Sequence, residues 1–160
     1  MAMSRMTILT DPHEELRMTA EPLSVDEMTS EVFQNLINDM METMTSADGI
    51  GLAGPQVGAR KRIFIGVLDG EPHVFINPEI IKTSLRKVNS EEGCLSIPKV
   101  WGIVRRHRQI VVKYLDREGK KQKRKMKGLE GIVVQHETDH LDGVLFTDKI
   151  VKFTTAPKTL

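Results

Sequence analysis

Two histidines four residues apart, His136 and His140, with Glu137 directly after the first, make His136-Glu137-Thr138-Asp139-His140 the segment of this chain best equipped for chemistry. On an α-helix, positions i and i+4 differ by about 40° around the axis and about 6 Å along it, so two imidazoles can grip one metal ion. Glu137 projects roughly 100° away from His136, which suits a proton-transferring base rather than a ligand. The competing reading is a pair of core histidines, each satisfied by its own hydrogen bond. A shared ion satisfies both rings at once, and the metal reading is preferred for that reason.

The chain supplies a third ligand candidate in Cys94, within Glu91-Glu92-Gly93-Cys94-Leu95-Ser96. A free cysteine often acts as a small buried hydrophobe. Here two acids and a glycine precede it, a poor context for a core strand and a good one for a sharply placed backbone. One cysteine and two histidines leave a coordination position open, and open sites are catalytic, whereas structural zinc sites are closed by four protein ligands. His13, His73 and His107 do not form ligand-spaced pairs. A third segment, Gly49-Ile50-Gly51-Leu52-Ala53-Gly54-Pro55-Gln56, combines glycines that allow close backbone approach with an amide donor on Gln56. It lacks the Gly-Lys-Ser/Thr of a phosphate loop, and by itself it reads equally well as a helix cap and tight loop.

These segments need elements to hold them. Phe33, Leu36, Ile37, Met40, Met41 and Met44 recur at helical spacing, predicting one amphipathic helix over 26–45 whose methionines are core rather than metal-binding. Asp11-Pro12 predicts a short helix start. Strands are expected at 62–68 and 73–76 around the Asp69-Gly70 turn, with Pro78 ending the second and 79–83 pairing with 86–89. Further strands are expected at 104–107, 110–115 and 122–126. A last helix from about Gly128 carries Leu129, Ile132, Val133, His136 and His140 along one buried stripe. Helix, antiparallel strands, helix is an α+β order: antiparallel strands packed around a central metal-binding helix, with an N-terminal amphipathic helix.

At 160 residues the chain is expected to be a single domain, and 39% hydrophobic with 28% charged residues argues against disorder. A net charge of +1 offers no global attraction to nucleic acid. No apolar run reaches membrane-spanning length and no signal-peptide core is present, so no membrane partner is expected. A single cysteine excludes an intrachain disulfide, and a cytoplasmic location is the default. Lys120-Lys121-Gln122-Lys123-Arg124-Lys125-Met126-Lys127 is the one strong charge run; it is read as the solvated face of a hairpin, with ribosomal RNA docking as the alternative.

Taken together, Gly49 to Gln56, Glu92 to Ser96 and Gln135 to His140 resemble the three motifs of the peptide deformylases, in the same order, and the resemblance spans about 8–150. It implies removal of the formyl group from N-terminal N-formylmethionine of new polypeptides. The resemblance assigns one divalent ion to Cys94, His136 and His140, Fe(II) natively with Zn, Ni or Co able to replace it, and hydroxide on that ion as the attacking group. Glu137 becomes the general acid and base, while the Gln56 side chain and Leu95 backbone N–H stabilise the oxyanion. Ile50, Leu129, Ile132 and Val133 line the methionine pocket, Gly51 and Gly93 align the peptide as an added strand, and Glu92 pairs with a downstream arginine, here Arg106. Seen alone, that pair would be a surface contact.

Gly54 stands where the family carries a second alanine, adding backbone freedom before Pro55-Gln56. The long C-terminal helix of many relatives is not expected in the short tail, 151–160, so any transient ribosome contact would be made differently. Two rival functions remain at this stage: a zinc endopeptidase sharing His-Glu-x-x-His, and a non-catalytic metal-storage module.

Overall fold

The computed structural model describes residues 4–154. The helix expected over 26–45 is two helices, α1 (Val25–Thr29) and α2 (Glu31–Ser46), divided at Ser30. Ser30 is extended, at φ −67° and ψ 144°, and its hydroxyl accepts a hydrogen bond from the Phe33 N–H at 3.2 Å, so it ends one helix and caps the next. Ser24 and Glu27 cap α1 reciprocally in a capping box. The apolar stripe lies as expected: Phe33, Ile37, Met40 and Met44 are buried. The predicted helix near Asp11-Pro12 is a single 3-10 turn, Glu14–Arg17.

The strands form two antiparallel sheets. One contains β1 (Gly51–Ala53), β2 (Ile63–Leu68), β3 (Glu71–Thr83), β6 (Gln109–Leu115) and β7 (Lys121–Lys127), in the order β1-β2-β3-β6-β7. The other contains β4 (Lys87–Cys94), β5 (Ile97–His107) and β8 (Ile150–Phe153), in the order β4-β5-β8. The Asp69-Gly70 hairpin joins β2 to β3 in register from Leu68–Glu71 onward. Pro78 does not end β3. The ladder shifts register between Ile76 and Glu79, and this bulge absorbs the missing N–H. Asn77 holds the bulge in place, its side chain both accepting from Leu23 N–H and donating to Leu23 C=O at 2.8 Å. The expected pairing of 79–83 with 86–89 is likewise not formed. Residues 79–83 pair with β6, while β4 pairs with β5 in the other sheet. β1 and β8, which the sequence pattern did not reveal, are short strands. β8 takes up 151–153 of the expected tail, and 155–160 lie outside the described residues.

The last helix, α3 (Gly128–Leu141), lies against the inner face of the larger sheet. Its Val134 and Leu141 share a core with Phe64, Phe75, Ile110, Val112 and Met126. Phe64 and Phe75 stack at 4.5 Å between ring centres, and each fully buried ring contributes about 1.5–3 kcal/mol. On the opposite face of that sheet α2 packs over Ile63, Ile65, Val74 and Ile76. The buried-stripe expectation for α3 is corrected. Leu129 is 64% exposed, whereas Val134, Gln135 and Glu137, off the stripe, are buried, because the helix is covered on several sides and not one. Among the described residues no helix is long and apolar enough to cross a membrane.

Ser30 caps α2 alone, without a capping-box partner, so Ser30→Ala is expected to lower unfolding free energy by about 1 kcal/mol. Urea denaturation monitored by circular dichroism measures this, and an unchanged midpoint would contradict the capping role.

Candidate metal centre

Three elements converge on one point. α3 presents His136 and His140 from successive turns, with ring centres 5.1 Å apart. The end of β4 supplies Cys94, whose Sγ lies 3.2 Å from His140 Nε2. The ligand atoms of Cys94, His136 and His140 all fall within 4.8 Å of one another, and this is the one such Cys/His/carboxylate group among the described residues. Ligands at about 2.0–2.3 Å from a tetrahedral ion are roughly 3.5 Å apart, so this donor set fits a divalent cation with small side-chain adjustments.

The loop after α2 supplies the third component. A 3-10 turn, Gly54–Val57, swings Gln56 into the cluster, where it is 1% exposed. Its Oε1 accepts from the Ala53 N–H at 2.8 Å, which fixes the amide orientation and aims Nε2 at Ser96 Oγ (3.0 Å) and Cys94 Sγ (3.5 Å). Ser96 carries no signal of its own in the linear pattern; its place as acceptor for Gln56 depends on the β4–β5 turn. Gly54 is close-packed rather than loose. A Cβ there would lie 2.7 Å from Ala59 O and 2.8 Å from Lys61 O, so residues 59–61 occupy the space an alanine would need.

Behind the histidines runs a chain of charge. His136 Nδ1 faces Glu92 Oε1 at 2.8 Å, and Arg106 grips Glu92 with two hydrogen bonds of 2.8 Å. Arg106 also donates to Asp139 Oδ2 at 2.6 Å, and Lys149 Nζ bonds both Asp139 oxygens. The Glu92–Arg106 pair is therefore no surface contact. Arg106 is 3% exposed and Glu92 6%. Asp139, for which spacing offered no role, completes the charge balance of Arg106.

Burial pushes the Glu92 carboxyl up, but the hydrogen bonds from Arg106 and His136 outweigh it and hold it at about 2. Burial also opposes charge on His136, yet its hydrogen bonds to Cys94 and Glu92 raise it to about 10. A proton held there is one that a cation would displace, since metal ligands must be deprotonated. His140 is pressed well below its usual value by burial, then by the positive charges of His136 and Arg106. Burial raises Glu137 to about 7, in the range where a carboxyl both takes and returns a proton near neutrality. Glu137 Oε2 is buried without a hydrogen-bond partner, as is His140 Nδ1. The Glu137 carboxylate packs directly on Gly51, where any Cβ would collide with Oε1.

Several of these groups face a cleft of about 610 Å³. Ile50, Gly51, Gln56, Glu92, Gly93, Cys94, Leu95, Leu129, Ile132, Val133, His136 and Glu137 all line it, and His140 lies beneath. Ile50, Leu129 and Trp101 are exposed apolar residues of its lining, while Val133 is buried. The cleft runs between two sheet edges, β1 on one side and β4 on the other.

One cysteine and two helix-borne histidines beside an apolar cleft in an α+β fold are an arrangement suited to a small metal-binding enzyme with one coordination position open. The family model described as polypeptide deformylase matches residues 5–156, and the chain belongs to that family, whose members remove formyl groups from N-formylmethionine peptides. It is 44% identical over 149 residues to "Peptide deformylase 2" of Xanthomonas axonopodis pv. citri, covering 91% of this chain and 87% of the relative. It is 48% identical over 124 residues to the peptide deformylase of Pseudothermotoga lettingae, covering 78% and 72% respectively. The fold matches the Met-Ala-Ser-bound class I type b peptide deformylase of Acinetobacter baumannii with TM-score 0.90 at 33% identity, over 93% of this chain and 100% of that one. It matches the Thermotoga maritima peptide deformylase with TM-score 0.87 at 37% identity, over 94% and 99%.

Two outcomes follow from the packing. Gly54→Ala, which restores the alanine of the resembled motif, is expected to destabilise the protein by about 1–3 kcal/mol, because the inserted methyl meets backbone. Thermal unfolding tests this, and an equally stable variant would show that residues 59–61 yield freely. Arg106→Met leaves Glu92 free to reorient away from His136 and should weaken divalent-metal affinity about 10–100-fold. Competition with a chromophoric chelator measures the change.

Proposed function

We propose that this protein hydrolyses the formyl group of N-formylmethionyl peptides, releasing formate and a free N-terminal methionine. The observation that carries the reading is that Gln56 and Glu137 line the same apolar cleft as Cys94 and His136 of the Cys94–His136–His140 cluster. Family membership supports it, and a peptide, Met-Ala-Ser, is bound in the Acinetobacter baumannii relative.

In this reading the methionine side chain enters the pocket of Ile50, Leu129, Ile132 and Val133. The extended peptide lies between the edges of β1 and β4, with backbone groups near Gly51 and Gly93 pairing as to an added strand. Cys94, His136 and His140 would hold one divalent ion, which would supply Lewis acidity and lower the pKa of water. Glu137 takes the proton of the attacking water and returns it to the leaving amine. The Gln56 Nε2–H, fixed by Ala53, and the Leu95 N–H donate to the developing oxyanion; each such donor lowers the barrier by about 2.7–4 kcal/mol. Glu92 accepts a hydrogen bond from His136 Nδ1–H, which fixes the tautomer and leaves Nε2 free for the ion.

The native ion is proposed to be Fe(II). A thiolate and two imidazoles also accept Zn, Ni and Co, and availability decides among them. Residues 1–160 are read as one catalytic domain acting on nascent chains in the cytoplasm.

Formate release from formyl-Met-Ala by anaerobically prepared protein, with metal analysis alongside, tests the function. Glu137→Ala should keep stoichiometric metal while turnover falls about 10²–10⁴-fold. Cleavage at internal bonds of acetylated peptides would instead support an endopeptidase, and no turnover by the metal-loaded wild type would support storage.

A further inference from the structure

The net charge of +1 conceals a segregation. Of the 23 Lys and Arg, 15 lie between residues 82 and 127, with only 4 of the 22 Asp and Glu. The fold gathers much of this charge on the sheet face that α2 partly covers, where the lysines of β3, β6 and β7 stay exposed. Along β7, Lys121, Lys123, Lys125 and Lys127 alternate outward while Met126 turns into the core. Alternate residues on a strand are about 6.7 Å apart, so the four ammonium groups form a row roughly 20 Å long.

Neighbouring strands extend the row. Lys113 of β6 stands directly opposite Lys123, and Lys82 of β3 is paired to Val111, which is itself opposite Lys125. Like charges directly opposite in a ladder destabilise it, and none of these six lysines forms an ion pair among the described residues. Lysines on an edge strand also discourage sheet-to-sheet association. That purpose needs neither a single sign nor charges reaching two strands inward.

The face is grooved. A depression of about 380 Å³ is lined by Lys113, Lys121 and Lys123, with Glu79 the one carboxylate. Another of about 180 Å³ is lined by Lys82, Ser84, Gln109 and Lys125. Lys127 ends the row two residues before Leu129, which lines the cleft beside the metal centre.

We propose that this face binds the phosphate backbone of structured RNA. Regularly spaced, unneutralised ammonium groups along a grooved strip match a rod-shaped polyanion. No aromatic side chain projects from the row to stack on bases, so recognition is of backbone and not of sequence. The surface is separate from the metal centre, and the partner is inferred independently of the reaction proposed there.

Fluorescence anisotropy with a labelled RNA duplex of about 20 base pairs tests this. The wild type should bind with log K falling against log salt at a slope of about −4, a loss of roughly 250-fold between about 50 and 200 mM. The variant K121E/K123E/K125E should bind at least about 10-fold more weakly at the lower salt, with formate release from a free formyl peptide unchanged. Should reversal impair folding, K121Q/K123Q/K125Q should still flatten the slope to about −1. Absence of RNA binding by the wild type, or equal binding by a folded variant, overturns the proposal. So does tighter binding to phosphatidylserine vesicles than to RNA at equal salt, with loss on L85S, since Leu85 is fully exposed beside Arg86 and would then act as a membrane wedge.

Discussion

A single buried carboxylate, Glu92, joins the two halves of this protein. It sits on β4, takes both prongs of Arg106 from β5, and faces the ring of His136 on α3. Three groups that each resist leaving water are thereby buried together, which is tolerable only when geometry satisfies nearly all their hydrogen-bonding capacity. The small sheet cannot shift relative to the helix without leaving one of these charges unpaired. The same contact orients the imidazole, so the constraint that docks the sheet also fixes which ring nitrogen is left for the Cys94–His140 cluster. Asp139 and Lys149 extend the network toward β8 and balance the remaining charge of Arg106.

Around this anchor, α3 carries an unusual polar load for a helix so deeply covered. Gln135 is fully engaged, donating to His107 C=O and Gly131 C=O while accepting from His107 N–H. Glu137 and His140 each keep a buried polar atom with no partner. Such atoms cost stability, and both belong to residues at or beside the donor cluster. The apolar packing of Val134 and Leu141 against the Phe64–Phe75 stack offsets that cost from the other side of the helix.

Much of this was legible in the chain. The stripe from Phe33 to Met44, the Asp69-Gly70 hairpin and the three chemistry-bearing segments all depend on local spacing, and local spacing survives folding. Other features were not. Ser30 divides a helix whose apolar period runs on without a break, because one hydroxyl competes locally for backbone N–H groups. Pro78 remains inside β3 because a bulge and Asn77 accommodate it. The partners of 79–83 and of β4 are remote in sequence, and pairing by nearness placed them wrongly. Arg106 looked like a surface charge because neither burial nor the second carboxylate, Asp139, is visible in a linear pattern.

The sequence by itself determined the donor types and the helical spacing of His136 and His140, since 3.6 residues per turn follows from backbone geometry alone. It also determined the antiparallel character of the strands through its turns and short apolar runs. Only the tertiary structure decided that Cys94 and Gln56, separated from the histidines by tens of residues, share one point with them. It alone decided that Glu92 is buried against Arg106, and that lysines from three strands stand on one face. Those outcomes depend on which strands pair and which faces are covered, and both are settled by long-range packing.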